Sequence, residues 1–123
     1  MLIAVTLLAV GLLAAAPAGA KILRGTPDGD RLVGGAKPDR LSGKPGDDSL
    51  SGRRGSDFLK GGKDDDTLVG GKGFDDLRGA AGDDAIRARD GEPDIIDCGE
   101  GFDTVTVDAV EDGVFDCEEI IEP

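Results

Sequence analysis

Residues 25–87 read GTPDGDRLV, GGAKPDRLS, GKPGDDSLS, GRRGSDFLK, GGKDDDTLV, GGKGFDDLR and GAAGDDAIR, seven units of nine residues without a gap. The first place is always Gly: Gly25, Gly34, Gly43, Gly52, Gly61, Gly70 and Gly79. The sixth is always Asp: Asp30, Asp39, Asp48, Asp57, Asp66, Asp75 and Asp84. The eighth is always aliphatic: Leu32, Leu41, Leu50, Leu59, Leu68, Leu77 and Ile86. Compositional bias cannot hold three residue types in phase over so long a run, so the repeat is the unit of structure.

Each unit has two halves. Its first six places hold Gly, Pro, Asp and Lys, which is turn chemistry. Its last three read polar, aliphatic, polar or small, a short strand with one inward side chain. One such strand buries nothing alone. Two units make one turn of a coil with a strand on each side, and stacked turns pair those strands in parallel about 4.8 Å apart. The expected fold is therefore all-β: a parallel β-roll, a right-handed β-solenoid by the usual hand of parallel crossovers. The eighth-place residues form a thin aliphatic seam between two sheets.

Beyond residue 87 the phase loosens. One inserted residue shifts it, giving Asp94 with Ile96, Asp103 with Val105 and Asp112 with Val114. Residues 88–115 read as a degenerate C-terminal cap, as terminal repeats often are. The two cysteines, Cys98 and Cys117, fall here. An even count outside the cell predicts one disulfide, at the place where an open strand edge most needs closing. Two thiols without any His make a zinc site a poor alternative.

Upstream, residues 1–20 (MLIAVTLLAVGLLAAAPAGA) carry no charged side chain. The apolar run and the small residues Ala18, Gly19 and Ala20 predict a signal peptide, with the mature β-roll spanning 21–123. The run is short for a membrane span of about 20 residues. The expected location is secreted and extracellular, or membrane-anchored where the segment is retained.

The composition sets what the repeat must solve. The chain has 123 residues, 21 Gly, 3% aromatic residues and a net charge of −12. Glycine loses the most entropy on folding, and a core without Tyr or Trp is thin. Of the 26 acidic residues, 20 are Asp, the shorter carboxylate that suits tight turns and hard cations. The sign of the charge argues against nucleic acid as a partner.

Aspartates 18 residues apart fall on the same side of the coil. One side carries Asp30, Asp48, Asp66 and Asp84; the other carries Asp39, Asp57 and Asp75. Stacking such carboxylates without counter-charge is costly at low effective dielectric. A hard cation between turns, held by carboxylates and turn carbonyls, resolves the repulsion. Flexible coordination by six to eight oxygens suits calcium better than magnesium. Five adjacent pairs predict about five Ca²⁺ ions, whose charge nearly matches the excess on the chain.

The units resemble the hemolysin-type, or RTX, calcium-binding nonapeptide G-G-x-G-x-D-x-U-x. The resemblance covers 25–87 strongly and 88–115 weakly. It implies a β-roll with calcium between turns. Carried over place by place, it makes Asp30, Asp39, Asp48, Asp57, Asp66, Asp75, Asp84 and, in the cap, Asp103 the side-chain metal ligands. The residues at the first, second and fourth places form the turn whose carbonyls complete the shell. The match departs from the pattern where Gly is missing from the second place (all units but those with Gly35, Gly62 and Gly71) and where Asp28, Lys37 and Asp64 hold the fourth.

No catalytic constellation appears. Without His there is no Ser/His or Cys/His pair, and the paired acids such as Asp47/Asp48 are consecutive repeat places. The expected function is a secreted, non-enzymatic calcium-binding protein whose folding is driven by the ions. The alternative is a calcium-rigidified surface adhesion or interaction module, with a cell-surface or matrix component as partner. Toxin and protease tails with such repeats usually lack an N-terminal signal and carry an effector domain, which sets them apart from this chain.

Overall fold

The structure, a computed structural model, describes residues 19–108 and 113–123. Most of the signal segment expected at 1–20 lies outside those residues. Among the described residues there is no helix, and so none long and apolar enough to cross a membrane.

Twelve strands follow one another along the chain: β1 Ile22–Arg24, β2 Arg31–Val33, β3 Arg40–Pro45, β4 Ser49–Arg54, β5 Phe58–Lys63, β6 Thr67–Lys72, β7 Asp76–Ala81, β8 Ala85–Arg87, β9 Ile95–Glu100, β10 Thr104–Thr106, β11 Gly113–Phe115 and β12 Glu119–Ile121. Odd-numbered strands form one six-stranded sheet and even-numbered strands the other. Every pairing is parallel, so the chain is a β-solenoid of about five turns, the expected parallel β-roll.

The register follows from the repeat. Leu41 lies beside Leu59 and Leu59 beside Leu77, a step of two units. Across the inserted residue the step lengthens by one, pairing Leu77 with Ile96 and Ile86 with Val105. The final step is shorter: Val105 pairs with Ile120. The coil also starts one strand earlier than the quoted repeat. β1 pairs Leu23 with Leu41, which places Lys21 at a sixth position in the row of Asp39.

The central strands are six residues long, not the three expected from the last places of each unit. The reason is the alternation of a pleated strand. Sixth-place Asp, eighth-place Leu and first-place Gly all point inward, so the strand runs through the Gly into the following second and third places. The row Leu41, Leu50, Leu59, Leu68, Leu77, Ile86, Ile96 and Val105 is at most 1% exposed and forms the seam between the sheets. From residue 88 onward the inward first place is filled by Ala88, Cys98 and Val107, which join that seam. Cys98 and Cys117 form a disulfide, with Cα atoms 5.1 Å apart, across this C-terminal end.

Candidate metal centre

The sixth-place aspartates sit where each turn meets its strand, one above another in two columns. Their backbone amides and carboxylates interlock. On the first side Asp30 N–H donates to Asp48 Oδ1 at 2.7 Å, Asp48 to Asp66 at 2.8 Å, Asp66 to Asp84 at 2.8 Å and Asp84 to Asp103 at 2.7 Å. On the second, Asp39 donates to Asp57, Asp57 to Asp75 and Asp75 to Asp94, each at 2.8 Å. One carboxylate oxygen per residue is thus consumed by the neighbouring turn.

The other oxygen has no such use. Oδ2 of Asp48, Asp57, Asp66, Asp75, Asp84 and Asp103 is buried without a hydrogen-bond partner. Leaving a buried acceptor unmatched costs about 1–3 kcal/mol, and more for a charged one. These oxygens gather around the first-place glycines. A Cβ added at Gly43 or Gly52 would collide with Oδ2 of Asp48 or Asp57, and would stand 2.7 Å from the carbonyl oxygen of Gly61 or Gly70 one turn on. The first place is Gly because the space of a methyl group is bounded by two oxygen acceptors. Its φ is not the reason, since these glycines are not left-handed.

From Lys44 on, left-handed backbone appears at the second and fourth places instead, whether or not Gly occupies them. Gly62, Gly71, Gly46 and Gly55 take it, and so do Lys44 (φ 77°), Arg53 (81°), Ala80 (82°) and Asp64 (77°). Such geometry costs a side-chain-bearing residue about 1–2 kcal/mol. The turn is imposed by the stacked fold.

Burial dominates the electrostatics. It pushes the carboxyls of Asp66, Asp75 and Asp84 up to about 7 and that of Asp57 to about 6, against an ordinary value of 3.8. The amide donated to each carboxylate pulls the other way, and neighbouring Asp charges add to the rise. Asp48 and Asp103 are raised for the same first reason. A site that strains to hold protons at neutral pH is one a divalent cation can relieve.

Among the described residues no three carboxylates converge on one point. The donor set available to a metal is one carboxylate row on each side together with the first-place carbonyls. All hard oxygens and no nitrogen or sulfur, this set fits calcium chemistry.

Of the sequence-predicted ligands, the structure aligns Asp48, Asp66, Asp84 and Asp103 with Asp30 on one side, and Asp57 and Asp75 with Asp39 on the other. Three residues that the repeat pattern did not single out as site residues join the columns. Asp94 extends the second side; its spacing to Ile96 shows the repeat phase shifted by the one inserted residue. Glu118 closes the first, its Oε2 accepting from Asp103 N–H at 2.9 Å; the shortened last step leaves no periodic signal for it. Lys21 opens the second side, its amide donating to Asp39 Oδ1 at 2.6 Å.

The family described as RTX calcium-binding nonapeptide repeat (4 copies) matches residues 24–59 and again residues 60–95, more than half of the chain. The protein therefore belongs to the RTX calcium-binding nonapeptide repeat family, whose repeats bind Ca²⁺. No curated protein and no solved structure matches the chain.

Proposed function

We propose that this protein is a secreted calcium-binding protein whose β-roll folds because it takes up about five Ca²⁺ ions between adjacent turns. The observation that carries the reading is the row of buried Oδ2 atoms without hydrogen-bond partners at Asp48, Asp57, Asp66, Asp75, Asp84 and Asp103. Calcium bound there supplies a hard positive charge shared among carboxylate and carbonyl oxygens. The chain's own residues do the rest. The Asp amide ladder fixes each carboxylate, the first-place Gly leaves the space, and the aliphatic seam excludes water. Because binding draws only on the folded state, the ions stabilise the fold in proportion to their occupancy.

The excess of acidic residues suits an environment rich in calcium, and the apolar segment 1–20 supports export through a signal peptide. A second reading, a calcium-rigidified module that displays a surface for adhesion, draws on the outer face of the odd-numbered sheet. There Arg40 and Arg78 stand 5.5 and 5.1 Å from the centre of the Phe58 ring. Neither reading requires catalysis.

The test is circular dichroism of the purified chain at neutral pH, titrated with calcium and, separately, with magnesium. Calcium is expected to bring a cooperative gain of β signal that chelator reverses and magnesium fails to match. An unchanged β-rich spectrum in chelator, together with no heat of Ca²⁺ binding at millimolar concentration, would refute the reading.

A further inference from the structure

The first levels of the coil differ from the rest in how their oxygens are satisfied. At Asp30, Oδ2 accepts from Thr26 N–H at 2.5 Å and from Thr26 Oγ1 at 3.0 Å. At Asp39, Oδ2 accepts from Gly35 N–H at 2.5 Å. One level further out, sixth-place Lys21 puts an ammonium where other units put a carboxylate. Its Nζ donates to Gly34 O at 3.4 Å, and a Cβ at Gly35 would stand 3.7 Å from that nitrogen and 3.9 Å from Asp39 Oδ2. A carboxylate Oδ2 and a carbonyl one turn on face the first-place glycine at Gly25 and Gly34 as they do at Gly43, Gly52 and Gly79, but from Asp48 to Asp84 that Oδ2 has no hydrogen-bond partner. In the first levels a donor is built in.

The backbone changes at the same boundary. From Lys44 and Gly46 on, both the second and the fourth place are left-handed in every loop of the seven-unit run. In the two loops before them, Thr26, Asp28, Gly35 and Lys37 are not. The sequence accounts for part of this: Thr26 is β-branched, and positive φ is a genuine outlier for such a residue. Without the left-handed turns these loops close onto their own Asp through a local amide, an arrangement Asp and Thr favour.

We propose that the N-terminal turn, residues 21–39, is a metal-independent cap. Lys21, Thr26 and Gly35 supply the donors that ions supply elsewhere, and calcium loading begins at Asp48 and Asp57. This rests on the calcium reading above and gives the ions their addresses. The pairs Asp30–Asp48 and Asp39–Asp57 take none. Their places in the count fall to Asp84–Asp103 and Asp75–Asp94 at the other end, so the ion set shifts toward the C-terminus without changing in number. In this scheme Lys21 is a positioning residue, a tethered cation that closes the column.

Native mass spectrometry of the full chain in calcium tests the proposal, with the folded fraction at saturating calcium recorded by circular dichroism for every variant. Asp30→Asn, Asp39→Asn and Lys21→Met are expected to keep the wild-type number of bound ions. Asp66→Asn and Asp75→Asn are expected to lose at least one ion each while the folded fraction is still high. Should either of those two instead fail to fold, the count in Asp30→Asn and Asp39→Asn still decides. A loss of ions in either, with the fold retained, overturns the cap and leaves the calcium reading standing. A wild-type chain that binds no calcium overturns both.

Discussion

At Asp66 one carboxylate oxygen accepts from the Asp48 amide of the turn before it and the other is buried without a hydrogen-bond partner. At Asp30, the same place of the same repeat, both oxygens meet the side chain of Thr26. The C-terminal end differs again. There the first-place glycine gives way to Ala88, Cys98 and Val107, whose side chains join the aliphatic seam. The contrast teaches that one nonapeptide carries two kinds of interior. The middle of the coil is incomplete as a protein and asks for cations. The N-terminal end is closed by protein donors, and the C-terminal end adds an apolar, disulfide-bonded inner face beside its unpartnered Asp103 Oδ2.

Proton titration exposes that contrast most strongly. The carboxyls of Asp66, Asp75 and Asp84 sit near 7 and that of Asp57 near 6 in the folded, metal-free chain, well above the 3.8 of the unfolded one. The folded state therefore binds more protons than the unfolded state between about pH 4 and 7. Its stability is fully present below the lower value and falls as pH rises through the upper one. In chelator, the β signal is expected to be low at pH 7.5 and to return on acidification to about pH 4.5. Calcium affinity is expected to rise as pH rises through the same interval, because ions replace protons. A metal-free chain that loses β structure on acidification would break the picture of carboxylates strained by burial.

A methyl group placed in the cradle comes next. Gly43→Ala sets a Cβ against Asp48 Oδ2 and Gly61 O, so it is expected to cost about 3 kcal/mol or more and to raise the calcium midpoint sharply. The reverse exchange in the cap, Ala88→Gly, is expected to cost only about 1 kcal/mol. Calcium-dependent melting curves of the two variants measure the difference, and equal losses would erase the distinction between centre and cap.

The disulfide is expected to contribute about 3 kcal/mol by loop entropy. Cys98→Ser with Cys117→Ser therefore lowers the melting temperature and speeds amide exchange in β11 and β12, with β3 to β6 least affected in calcium. The smallest effect is a gain. Ala80 holds a left-handed φ of 82°, so Ala80→Gly is expected to stabilise the loaded protein by about 1 kcal/mol in thermal melts.

Much of this molecule is legible in its residues. The phase of Gly, Asp and Leu gives two strands per turn, a register of two units and the aliphatic seam, because a period-two strand within a nine-residue repeat leaves little freedom over what points inward. Asp48 and Asp66 can be read as members of one column for the same reason. Strand length was less legible: first-place Gly signals a turn by composition, yet it lies inside a six-residue strand whose inward face it completes.

What the sequence determined alone was the coil, its seam and the two rows of aspartate, since those follow from covalent spacing and side-chain alternation. Only the tertiary structure decided which carboxylate oxygens are spent and which remain. That depends on contacts between turns: on Thr26 folding back to Asp30, on Lys21 reaching Gly34, and on Glu118 arriving beside Asp103 from the shortened last turn. Hydrogen-bond satisfaction is a property of atoms brought together in space, and no periodicity along the chain encodes it.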